Sequence, residues 1–159
     1  MFDPRYKLVI RKESFPKDEA VCLGSQLITL VKFLRNALPS HIWYGTNVEA
    51  VGPAVSKYDL NTYKLIKIGD DSVFINYCSE IVQFIWGVFL CLDKSHEEQT
   101  FINMKLSAED ELFRSIKLSG ILIEIRAFDT SFFEIYSQDE ELLMKIAKHF
   151  SSKDISSRI

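Results

Sequence analysis

The chain has no cysteine pair at redox or metal spacing, no glycine-rich phosphate loop, and no apolar run long enough to span a bilayer. Each absence removes a class of function. Its three cysteines, Cys22, Cys78 and Cys91, stand far apart in apolar surroundings, as small core residues in a reducing compartment do. The six glycines never form Gly-x-Gly-x-x-Gly, and no Gly-Lys-Ser/Thr occurs, so no nucleotide phosphate cradle is present. His41, His96 and His149 are isolated, without His-x-x-x-His or a Cys/His cluster at zinc spacing. The longest apolar stretch, Ile81 to Leu92, includes Gln83 and falls short of the roughly 20 residues a membrane helix needs.

Charge is also without strong bias. The 19 basic residues are interspersed with 22 acidic ones, for a net charge of -3. A nucleic-acid binder needs a basic stripe to displace counterions, so no nucleic-acid partner is expected. The opening residues, Met1-Phe2-Asp3-Pro4-Arg5, lack the basic-then-apolar layout of a secretion signal, and no Asn-x-Ser/Thr site occurs. Together with the unpaired cysteines this points to the cytoplasm, with no membrane partner.

What is present is the material of one core. At 159 residues and 47% apolar composition, the chain suits a single α+β domain over residues 1–150, followed by a loose polar tail at 151–159. Tyr6 to Arg11 reads as a first strand. Leu27, Leu30, Val31, Leu34 and Leu38 repeat at helical spacing, with Phe33 at the edge of the stripe, Ser25 as a possible cap and Pro39 as the stop. Ile42-Trp43-Tyr44 and Val48 suggest a second strand, broken by Gly52-Pro53; residues 54–67 read mostly as loop. Gly69-Asp70-Asp71 then opens a short helix to Glu80.

Val82 to Leu92 is apolar on both alternating faces, as a central strand covered on each side would be. Phe84, Trp86, Val88 and Leu90 fall on one face, and Ile85, Phe89 and Cys91 on the other. Gly87 within it marks a bulge or a close approach. Thr100 to Met104 suggests a short strand, and Ser107 with Asp110 a helix carrying Leu112, Phe113 and Ile116.

Gly120 to Ala127 and Phe132 to Tyr136 read as a hairpin. Ile121, Ile123, Ile125 and Ala127 are expected on the core face. A three-residue loop at 129–131 pairs Phe128 with Phe132, Arg126 with Glu134 and Glu124 with Tyr136. A two-residue loop would set Glu134 against Ile125, on the core side, where an unpaired carboxylate is costly. Ser137 and Asp139 can cap a final helix with the stripe Leu142, Leu143, Ile146, Ala147 and Phe150. The fold expected is therefore a mostly antiparallel sheet with helices packed on it, ending in a hairpin and a helix.

No motif assigns a catalytic residue, a metal ligand or a cofactor. Two aromatic features stand out instead. Trp43 and Tyr44 lie at a strand edge, and Glu124, Arg126, Phe132, Glu134 and Tyr136 share one hairpin face. Arg and Tyr are favoured at interfaces, so these seven residues are candidates for contact with another protein. The sequence points to a small intracellular, non-enzymatic protein-binding domain, an inhibitor of the toxin-neutralising, immunity type or an adaptor, acting through a surface. The alternative is an enzyme or small-ligand domain with a site assembled from distant residues, foremost His41, Glu124, Arg126 and Asp129. Concavity separates the two: a deep pocket with convergent polar groups favours the second.

Overall fold

The computed structural model describes residues 6–53, 58–94, 120–152 and 155–157. Seven strands form one sheet: β1 (Tyr6–Ile10), β2 (His41–Val51), β3 (Ile66–Gly69), β4 (Gln83–Asp93), β5 (Ile121–Phe128), β6 (Phe132–Ser137) and β7 (Ile155–Ser157). Three helices accompany them: α1 (Gly24–Ala37), α2 (Asp71–Ser79) and α3 (Glu140–His149). The strand order is β3-β2-β4-β5-β6-β1-β7, antiparallel throughout, which establishes the expected α+β class. The expected elements at residues 100–104 and 107–116 lie outside the described residues. No described helix is long and apolar enough to cross a membrane.

All three helices pack on one face. Leu27, Leu30, Val31 and Leu34 of α1, Phe74, Tyr77 and Cys78 of α2, and Leu142, Leu143, Ile146 and Ala147 of α3 share a cluster with Leu8, Ile10, Phe89, Cys91, Ile123, Ile125 and Ile135 of the sheet. The helix ends follow from side chains. Asp70 accepts from the Val73 N–H at 3.1 Å to start α2, and Asp139 from the Leu142 N–H at 3.1 Å to start α3. For α1 the cap differs from expectation: Ser25 lies inside the helix. The buried Gln26 instead accepts from the Leu23 N–H at 3.1 Å while donating to Asp18 and Ala20. The start of α1 must also pass close to α2. A Cβ on Gly24 would come within 2.3 Å of the carbonyl oxygens of Ile81 and Cys78, so no larger residue fits.

β4 lies third of seven strands, and both its faces are buried at Val88, Phe89, Leu90 and Cys91. The bulge anticipated at Gly87 occurs in its partner strand. Thr46 pairs with Val88 and Glu49 with Trp86, so Asn47 and Val48 together oppose Gly87. Asn47 takes a positive φ of 50°, which asparagine tolerates, and the two extra N–H groups turn outward to the Thr62 and Leu60 carbonyls at 2.8 Å.

Two further irregularities revise the expected faces. Between Glu49–Trp86 and Ala50–Phe84 an extra residue, Ile85, enters β4. The alternation shifts there, and Phe84 joins the helix-side core rather than Trp86 and Val88. Likewise Leu122 is the extra residue between Cys91–Ile123 and Leu92–Ile121, so Ile121 packs with Leu92 on the opposite face, not with Ile123. The tail also departs from expectation. Residues 155–157 pair with β1 as the outermost strand, and the Ser152 hydroxyl donates to the Val9 carbonyl at 2.7 Å. Backbone pairing, which needs no apolar pattern, holds it there.

The hairpin has the inferred register: Phe128 pairs with Phe132, Arg126 with Glu134, Ile125 with Ile135 and Glu124 with Tyr136. Its loop is closed by the Ser131 N–H to the Phe128 carbonyl at 2.9 Å, and Asp129 and Thr130 both have positive φ.

Candidate functional site

Six of the seven residues singled out from the sequence lie inside. Trp43, Tyr44, Glu124, Arg126, Glu134 and Tyr136 are buried, and Phe132 alone is half-exposed. Trp43 faces the helices, its ring tilted against that of Phe74 at a separation of 4.7 Å. Tyr44 and Tyr136 belong to the cluster on the other face of the sheet, with Val88, Leu90 and Leu92. Register sets the hairpin's charged residues beside them. Arg126 lies opposite Val88 and Glu134, and Glu124 opposite Leu90 and Tyr136.

The ion pair runs along the strand rather than across it. Arg126 Nε donates to Glu124 Oε2 at 3.0 Å, the guanidinium lies 5.6 Å from the Tyr136 ring, and the Tyr136 hydroxyl donates to Glu134. Burial makes this a structural group: a charge with its partners inside a sheet face offers no surface to a second molecule.

The four residues of the catalytic alternative do not converge. His41 bonds to Asp71 of α2 on the helix side, Glu124 and Arg126 lie on the opposite face, and Asp129 sits exposed at the hairpin tip. His41 Nε2 bonds the Asp71 Oδ1 at 2.8 Å and its Nδ1 faces the Pro39 carbonyl, so neither nitrogen is aimed at a substrate. The same Asp71 oxygen accepts from Trp43 Nε1 at 2.7 Å, and Arg35 approaches the other at 3.7 Å. Asp71 thus joins α1, β2 and α2. The thiols are equally enclosed: burial pushes Cys22 up to about 11 and holds Cys78 and Cys91 well above the usual thiol range. Among the described residues, no cluster of His, Cys, Asp and Glu is placed to hold a metal ion.

Concavity occurs elsewhere. Between α1 and α3 lies an open groove of about 610 Å³ lined by Thr29, Lys32, Phe33, Asn36, Ala37, Lys145 and His149. The helical repeat explains the lining. Residues 29, 32, 33 and 36 stack on one face of α1, beside the apolar stripe, and residues 145 and 149 do so on α3. Phe33 forms the floor, 4.6 Å from the His149 ring and 6.4 Å from the buried Phe150 ring. Lys32 and Lys145 stand exposed on the rim, and neither is in a salt bridge among the described residues.

The lining carries two ammonium groups, an amide, an imidazole and an aromatic floor. It includes no carboxylate and no thiol, and its one hydroxyl, Thr29, donates to the Ser25 carbonyl at 3.1 Å. Such a groove can hold an anionic, partly apolar chain. The sequence signal for it was slight: Phe33 at the edge of a stripe, flanked by Lys32 and Asn36.

Compared with protein-family models, curated proteins and solved structures, the chain matches none of them. What the groove can do follows from its own geometry and chemistry.

Proposed function

We propose that this chain is a non-enzymatic protein-binding domain, an inhibitor or adaptor, that takes an acidic segment of its partner into the groove between α1 and α3. The observation that carries this is a cationic rim over an aromatic floor, Lys32 and Lys145 above Phe33 and His149, in a chain whose net charge is -3. A local positive site on a mildly acidic protein selects by charge, attracting carboxylates to the groove. An apolar side chain among those carboxylates would cover Phe33 and Ala37, where desolvated contact contributes most. A protein segment fits an open trough better than a small metabolite does, since small ligands are held by enclosure.

The direct test is the affinity of an Asp/Glu-rich peptide carrying one Phe or Trp, measured by fluorescence anisotropy. Saturable binding that falls at least about tenfold in the Lys32→Glu/Lys145→Glu double variant is expected, with no binding of a Lys-rich control. Equal binding by the double variant would overturn the proposal. So would preference for a single-stranded oligonucleotide or inorganic phosphate over the peptide.

A further inference from the structure

On the sheet face away from the helices, register aligns one row of side chains across four strands. Glu49 of β2 pairs with Trp86 of β4, Trp86 with Phe128 of β5, and Phe128 with Phe132 of β6. Arg11, just beyond β1, completes the row with its guanidinium 5.1 Å from the Phe132 ring. The rings touch in sequence: Trp86 and Phe128 meet edge-on at 4.8 Å, and Phe128 and Phe132 stack at 5.3 Å with planes 10° apart. Deeper in the same face, Val88, Arg126, Glu134, Leu90, Glu124 and Tyr136 are all buried, whereas the three rings of the row are half-exposed and its two charged ends are exposed.

The order of this row is complementary to its own reverse. Read from β2 to β1 it runs acid, aromatic, aromatic, aromatic, base. Rotated by a two-fold axis through Phe128, it sets Glu49 against Arg11 of the second copy, Trp86 against Phe132, and Phe128 against itself. We infer that the row is an isologous interface through which two copies of this chain pair. At strand spacing the row is about 19 Å long, wide enough for three aromatic contacts enclosed by two ion pairs. Arg11 can serve the incoming carboxylate in addition to its own-chain contacts, because a guanidinium carries five N–H donors. The row lies on the opposite side of the sheet from the α1/α3 groove, so pairing leaves the groove open and would present two grooves per assembly.

Sedimentation equilibrium of the full chain from about 1 to 100 μM tests this. A reversible dimer is expected. Arg11→Glu and Glu49→Arg should each raise its dissociation constant at least about tenfold, and the Arg11→Glu/Glu49→Arg exchange should bring it back towards the original value. Cross-linking supplies a probe independent of charge. The axis sets residue 128 beside its own mate, and the three native thiols are buried. Phe128→Cys should therefore form a disulfide-linked dimer under mild oxidation much faster than Thr130→Cys at the exposed loop tip. A monomer across the concentration range overturns the inference. So does a dimer that both single-charge variants leave intact, an exchange variant that stays as weak as they are, or a Phe128→Cys that cross-links no faster than the control.

Discussion

Arg126 and Glu124 lie two residues apart on β5 and are joined by a 3.0 Å bond, although Glu134 faces Arg126 across the hairpin. Both members are buried, which sets what substitution does. Removing one takes an ion-pair partner from a buried charge, so Arg126→Met should cost about 3–5 kcal/mol in urea unfolding. Replacing both with Glu124→Leu/Arg126→Met should recover much of that loss, because an apolar pair of similar volume is tolerated where a single ion is not. A double variant no more stable than Arg126→Met would show that the ion pair is not what the strand needs.

Asp71 carries a second structural load. Its Oδ1 accepts from both His41 and Trp43. Asp71→Ala leaves the buried indole N–H unsatisfied and is expected to cost about 2–4 kcal/mol, with a change in Trp43 fluorescence; Asp71→Asn, which keeps one acceptor, should cost less. Equal stability of the alanine variant would contradict this role.

The hairpin tip invites a gain. Thr130 holds φ at 57°, a conformation that a β-branched residue adopts at a cost and glycine adopts freely. Thr130→Gly should raise stability by about 0.5–1 kcal/mol, read as a higher urea midpoint. A lower midpoint would mean that the hydroxyl or methyl group contributes more than the backbone conformation costs.

How far the sequence carries depends on which forces set each feature. The hairpin register was legible at residue level because the alternative puts Glu134 against Ile125 on the helix-side face; in the observed register Glu134 lies opposite Arg126 and bonds Tyr136. The depth of that polar face was not legible, since what covers a sheet face is set by distant chain, and alternation looks the same whether one face is wet or dry. The positions of Phe84 and Ile121 turn on single extra residues in paired strands, Ile85 and Leu122, whose placement depends on the partner strand. β7 carries no apolar alternation to read. The groove needs two helices from opposite ends of the chain to come side by side, so its lining residues look like ordinary polar faces until they are folded.

Burial of the thiols sets both reactivity and alkaline stability. Iodoacetamide at neutral pH should leave Cys22, Cys78 and Cys91 unmodified in the folded chain and alkylate all three in denaturant. The folded Cys22 titrates near 11 against an ordinary value of 9, its thiol pushed up by burial. Between these values the unfolded chain has released a proton that the folded chain keeps, so stability falls as pH rises. The Cys22 contribution to that fall is on the order of 2–3 kcal/mol by pH 11. Cys78, Cys91 and Tyr77, shifted upward by the same burial, act in the same direction. Stability independent of pH from 9 to 11 would contradict the enclosure of these groups.

The most direct measurement of the groove's role is a backbone amide NMR titration of the full chain with the acidic, aromatic-bearing peptide. The groove predicts shifts that saturate together over Thr29 to Ala37 and Lys145 to His149, weaken as salt is added, and vanish in Lys32→Glu/Lys145→Glu. Shifts concentrated instead around Trp86, Phe128 and Phe132, or around His41 and Asp71, would contradict it.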